Sequence, residues 1–313
     1  MTKLFFATDV HGSEICWKKF VNGGKFYDVD VLILGGDMTG KAIVPIIAQA
    51  GGKYKVTLLE QEVILEDQAA VDEMVKTIQN RGYYPYLTTP EEVSALAADP
   101  KKLDDLFSSE CRKTVRRWME YADTKLDGTS IMLYVCPGND DIFEIDQDIS
   151  TANHVKLAEG KVIPLDENHE MASSGWSNIT PWKTHREEPE ENLIQRLEKV
   201  LSQVKNPAQA VFNLHPPPFG SGLDEAPELT ADLKVVAAGR SMIPVGSKSV
   251  LEMIRKYKPL LTLHGHIHEG KGTRKMERTL CINPGSNYEQ GILSGAVVEL
   301  KKDKVGNYIL TTG

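Results

Sequence analysis

The chain has 313 residues, 41% hydrophobic and 26% charged, with 36 basic against 44 acidic side chains. This composition excludes a disordered or collagenous chain and supplies enough apolar material for a buried core. No run reaches the roughly 20 apolar residues of a spanning helix, and the net charge of −8 argues against nucleic acid as a partner.

The apolar residues 1–10 are too short for a signal peptide and read as a first buried strand. Further short β-rich runs follow at 30–34, 130–136, 210–214 and 259–263, each ending in a turn signal. Continuous apolar runs of this kind suit strands covered on both faces. Helical stripes lie between them: Val71, Met74, Val75 and Ile78; then Leu103, Leu106, Phe107, Cys111, Val115, Trp118 and Met119. Two more follow over 189–204 and 250–257, and the alternation of strand and helix indicates an α/β fold. The C-terminal runs 279–283, 295–301 and 307–312 read as antiparallel strands. Between the Asp37 turn and the strand at 130 the spacing far exceeds an ordinary crossover. Residues 53–127, opening with a hairpin over 53–65, are therefore predicted to form an inserted α+β cap within a single domain spanning 1–313. The cysteines Cys16, Cys111, Cys136 and Cys281 form no CxxC pair and read as buried reduced thiols of a cytoplasmic protein.

Five strand ends carry Asp, Asn or His, the side chains that bind divalent transition metals. Asp9 and His11 are two residues apart, so in extended backbone both point the same way, roughly 7 Å apart. His266 and His268 repeat that spacing. Asp37 follows two glycines, Asn139 follows Pro137-Gly138, and His215 precedes three prolines that stiffen its loop. Open α/β sheets place their sites at such carboxyl ends of strands. Mixed imidazole and oxygen donors of this kind favour manganese, iron or zinc over magnesium or calcium.

In this order the five motifs, Asp9-Val10-His11, Gly36-Asp37, Gly138-Asn139-Asp140-Asp141, His215 and Gly265-His266-Ile267-His268, resemble those of the calcineurin-like metallophosphoesterases. The turn Asn283-Pro284-Gly285-Ser286 also looks like that family. The resemblance implies a four-layer sandwich of two mixed β-sheets flanked by α-helices. It also implies two divalent metal ions, the first held by Asp9, His11, Asp37 and His268, the second by Asp37, Asn139, His215 and His266. A hydroxide bridging them would attack phosphorus. Where the family usually has a His that protonates the leaving group, this chain has Asp140, with Asp141 in the place of the acid that orients it. Both are candidate catalytic residues. Dications would lower the pKa of Asp140, so three readings stand: Asp140 acts as the acid, another group or water does, or the leaving group needs little help. Both residues could equally shape the turn alone.

Lower-ranked features are His264, the loop 177–182 with His185 beyond it, the cationic run Arg112, Lys113, Arg116 and Arg117, and Tyr83-Tyr84-Pro85-Tyr86. The expectation is a cytoplasmic phosphodiesterase for a small, nucleotide-like phosphoester. The alternatives are a phosphomonoesterase, protein phosphatase or nuclease, or a non-catalytic binding module on the same fold. No membrane association is expected, and a homo-oligomer is left open.

Overall fold

The computed structural model describes residues 1–230 and 232–313. Its centre is a pair of six-stranded mixed sheets. In the first, the strands run Lys304–Thr312, Ser294–Lys301, Thr2–Ala7, Val31–Leu34, Met132–Val135 and Val155–Leu157 across the sheet. In the second the order is Gly272–Met276, Thr279–Asn283, Leu261–Leu263, Val211–Leu214, Glu170–Ser174 and Val162–Pro164. Parallel strands occupy the middle of each: Thr2–Ala7 pairs parallel with Val31–Leu34, and Val211–Leu214 with both of its neighbours.

Strand periodicity explains the layering. Leu4 pairs with Val31 and Phe6 with Ile33, and all four point into the core between the sheets, where Val211, Leu261, Leu263 and Ile282 meet them. The alternate residues Phe5, Ala7, Leu32 and Leu34 face outward onto helices. Those helices are α1 (Glu14–Phe26), α4 (Pro100–Leu126) and the short α5 (Ile145–Ile149). On the far side, α6 (Glu190–Leu201) and α7 (Lys248–Tyr257) cover the second sheet with Leu193, Leu197, Val250 and Met253. The result is helix, sheet, sheet, helix: the four-layer α/β sandwich.

A third sheet stands apart, with strand order Gln61–Leu65, Tyr54–Leu58, Ile43–Ala48 and Tyr84–Thr88. Its hairpin lies where the 53–65 pattern predicts it. The strand Ile43–Ala48 lies upstream of the predicted insertion and escapes notice in the sequence, because Pro45 interrupts its apolar run. Helix α2 (Gln68–Asn80), capped by Asp67, covers this sheet with Val71 and Ile78 and closes a small core with Val44, Ile46, Val56 and Leu65. Helix α3 (Pro90–Ala98) buries no residue.

Although α4 falls within the 53–127 segment, its buried face belongs to the sandwich. Cys111, Val115, Trp118 and Met119 pack with Phe5, Leu34 and Trp17, whereas Leu103, predicted on the same stripe, is 42% exposed. The first turns of this 27-residue helix thus run past the sheet. Trp118 stacks on Trp17 at 4.9 Å with the rings nearly parallel, and its Nε1 donates to Glu14 at 2.7 Å. Trp118→Ala removes this stack from a closed core and is expected to cost about 3–5 kcal/mol, measured as a lower urea midpoint.

Candidate metal centre

The carboxyl ends of the central strands deliver the site. Thr2–Ala7 leads to Asp9 and His11, Val31–Leu34 to Asp37, Met132–Val135 to Asn139, Val211–Leu214 to His215, and Leu261–Leu263 to His266 and His268. Backbone hydrogen bonds tie these turns together: Asp9 N donates to Gly36 O, His11 N to Asp37 O, and Gly265 N to His215 O. Asp9, His11, Asp37 and His266 all adopt left-handed backbone, with φ of 52°, 39°, 46° and 66°. Strain of this kind, of order 1–3 kcal/mol per residue, persists where the surroundings over-determine it, and it concentrates at functional sites.

The side chains named from the motifs come together. His11 Nε2 lies 3.1 Å from His268 Nε2 and 3.9 Å from Asp9 Oδ1, and His268 Nε2 is 3.5 Å from the same Asp9 oxygen. Asp37 Oδ2 stands 3.3 Å from His215 Nε2 and 3.7 Å from His11 Nε2. Asn139 Oδ1 and His266 Nδ1 are 2.7 Å apart. Asp9, His11 and His268 therefore form one donor set, and Asp37, His215 and His266 a second, each within 4.8 Å. Asp37 also shares a third set with His11 and Asp140. Close approach depends on absent side chains: a Cβ on Gly36 would stand 2.1 Å from His215 Nδ1, and one on Gly138 2.2 Å from Asp37 Oδ1.

The donor set fits metal ions. Bonds of about 2.1 Å to one ion separate neighbouring ligand atoms by about 3.0–3.4 Å, close to several of the separations here. His215 Nδ1 faces the Gly35 carbonyl at 3.1 Å, leaving Nε2 buried without a hydrogen-bond partner. A buried nitrogen of that kind is costly unless something else binds it. Electrostatics prepare the carboxylates. Burial works against ionisation of Asp37, but His215 and His11 overcome it and hold its carboxyl well below the usual range. Asp9 is likewise held low despite burial, by His268 and His215. Burial pushes His11 down to about 3 and His266 to about 4, so both imidazoles keep a free lone pair. His215 is the counter-case: Asp37 outweighs burial and raises it to about 9.

Asp140 and Asp141 part company. Burial and the Asp37 charge push the Asp140 carboxyl up to about 7, against the pull of Lys41. Its Oδ2 lies 3.7 Å from His11 Nδ1 and 3.2 Å from Lys41 Nζ. Asp141 is fully buried and faces the turn instead. It accepts from Thr39 N and Oγ1 at 2.8 and 2.7 Å, and from Met38 N and Gly138 N at 3.0 and 2.8 Å. That geometry joins the Asp37 and Asn139 turns.

The lower-ranked features resolve in part. His264 is a satisfied core residue, bonded to Thr262 Oγ1 and to the carbonyls of Leu214 and Pro216 on either side of His215. Asn283 Nδ2 donates to the Gly265 and Ile267 carbonyls, and Ser286 Oγ to that of Asp9. Arg112 and Arg116 both bind Asp148, Lys113 binds Glu110 and Arg117 binds Glu14. In the loop 177–188, Thr184 Oγ1 accepts from Asn139 Nδ2 at 2.7 Å. Arg186, 1% exposed, donates to the Asp141 and Ile142 carbonyls and to Asp146. No motif marked Lys41, Thr184 or Arg186.

No family profile matches the chain. Over 151 residues it is 31% identical to the uncharacterized protein MJ1162 of Methanocaldococcus jannaschii, a match covering 47% of this chain and 61% of that protein. One solved structure, 16% identical, aligns over 99% of this chain and 98% of its own with a TM-score of 0.58. TT1561 of Thermus thermophilus, 13% identical, aligns over 100% and 98% with a TM-score of 0.54. The chain shares the fold of these two structures, a four-layer α/β sandwich. Within that fold the five motifs stand at the ends of its central strands.

Asp141→Ala would leave three backbone N–H groups and a hydroxyl unpaired in the turns at Asp37 and Asn139. A loss of at least about 3 kcal/mol is expected, read as a lower urea midpoint, with Asp141→Asn intermediate because one acceptor remains.

Proposed function

We propose that the protein is a dinuclear-metal phosphoesterase acting on a small, nucleotide-like phosphodiester. One observation carries the reading: a single oxygen, Asp37 Oδ2, stands between the two imidazole sets, within 3.3 Å of His215 Nε2 and 3.7 Å of His11 Nε2. A carboxylate so placed suits a bridging ligand between two ions. Asp9, His11 and His268 would complete one site, and Asn139, His215 and His266 the other. When bound, such a pair supplies an acidified water and positive charge for the phosphoryl oxygens.

The chain's own groups do the rest. Gly35 O and the carbonyls held by His264 fix the ring of His215. Thr184 turns the Asn139 amide so that its oxygen faces the site. Asp140 N donates to Asp37 Oδ1 at 3.0 Å, which sets the rotation of that carboxylate. Asp140 in the usual place of a histidine proton donor favours a diester with a good leaving group, and Asp141 is read as a positioning residue. The four-stranded sheet with α2 is read as a cap over one side of the site. Four free, buried cysteines support a reducing, cytoplasmic setting. No helix among the described residues is long and apolar enough to cross a membrane.

Elemental analysis of the purified protein should find about two transition-metal equivalents, manganese among them after loading, and Asp37→Ala should lose both. Less than one equivalent in the unaltered chain would count against a dinuclear centre. With manganese bound, bis-p-nitrophenyl phosphate should turn over faster than p-nitrophenyl phosphate. The opposite preference would make the protein a phosphatase, and turnover of neither would favour a binding module.

A further inference from the structure

We infer that Lys41, which no motif marks, is a substrate-anchoring residue: its ammonium holds a non-bridging phosphoryl oxygen on the Asp140 side of the site. The inference rests on the phosphoesterase reading and extends it to a residue outside the metal set.

Three observations carry it. Lys41 Nζ lies 3.2 Å from Asp140 Oδ2, and that same oxygen is 3.7 Å from His11 Nδ1, so the ammonium stands one carboxylate away from the donor cluster. The Lys41 side chain is 47% exposed and that of Asp140 20%. The ammonium is therefore at the mouth, within reach of an incoming ligand. Among the described residues Asp140 is its acidic partner, and an ammonium has three N–H donors. That pairing uses one of them.

The root of the side chain is fixed, which a chance surface lysine does not require. Asp141 binds the amides of Met38 and Thr39. Gly40 N donates to Tyr84 OH at 2.7 Å, and a Cβ on Gly40 would stand 2.2 Å from Gly82 O. The inserted sheet, through Tyr84 and Gly82, thus sets where Lys41 begins.

Charge supplies the reason. With Asp140 in place of an imidazole, the site gains a negative group where a phosphate anion must approach. Lys41 cancels that charge and offers donors of the right sign. A charge-assisted hydrogen bond from a half-exposed ammonium is expected to change anion affinity by about tenfold.

The test is calorimetric titration of manganese-loaded protein with inorganic phosphate, with manganese content measured on every sample. Lys41→Met should keep its manganese and bind phosphate about tenfold more weakly, and Lys41→Arg should regain most of the loss. For turnover of a phosphodiester, Lys41→Met should raise KM more than it lowers kcat. Equal phosphate affinity in Lys41→Met and the unaltered protein, manganese being present in both, would overturn the role of Lys41 and leave the metal reading standing. Loss of manganese in Lys41→Met would assign the residue to holding the donor set instead, and overturn the anchoring role. Failure of the unaltered protein to take up manganese would overturn the metal reading and this inference with it.

Discussion

Two carboxylates, Asp9 and Asp37, share one buried hole with four imidazoles, and everything around them serves to hold that arrangement. Each carboxylate raises the cost of ionising the other, and burial raises it further. Protonated or nearby imidazoles reverse the balance, so both acids stay ionised. A cluster of this kind would drift apart if its side chains hung from mobile loops. Here each hangs from the end of a central strand, in turns cross-linked by their own amides and carbonyls.

Around the cluster runs a ring of groups that touch only its supports. His264 grips the carbonyls flanking His215, Asn283 those of Gly265 and Ile267, and Asp141 the amides beside Asp37 and Asn139. Arg186 spans from the Asp141 and Ile142 carbonyls to Asp146 without leaving the interior. A buried arginine is costly unless fully bonded, and this one has an ionic partner and two carbonyls. Left-handed backbone at four cluster residues is tolerable only inside such a frame.

What could be read beforehand follows from this division. Asp9-x-His11, Gly36-Asp37 and His266-x-His268 were legible as metal-binding side chains at strand ends, but extended backbone does not aim them: Asp9, His11 and His266 are left-handed, in turns beyond the strands. Strands covered on both faces, and with them an α/β fold, were legible from apolar runs such as 30–34, whereas the four-layer sandwich followed only from the resemblance of the motifs. Ile43–Ala48 was hidden by Pro45, and Leu103 was misplaced because a helical stripe does not reveal where its partner sheet ends. Lys41, Thr184 and Arg186 carried no local signal: their partners lie at Asp140, Asn139 and Asp146, and only folding brings those pairs together. Asp141 reads in the sequence as a carboxylate beside the site, whereas its four buried donors give it a turn to hold.

The turn that ends α2 presses on the site from outside the sandwich. Ser13 Oγ donates to Asn80 O at 2.6 Å, and a Cβ on Gly82 would stand 2.1 Å from His11 O. Ile78, one turn earlier, is buried in the core of the four-stranded sheet. The wall behind His11 is therefore built from two hydrophobic interiors at once. Removing the four-stranded sheet with α2 would strip His11 of its backing.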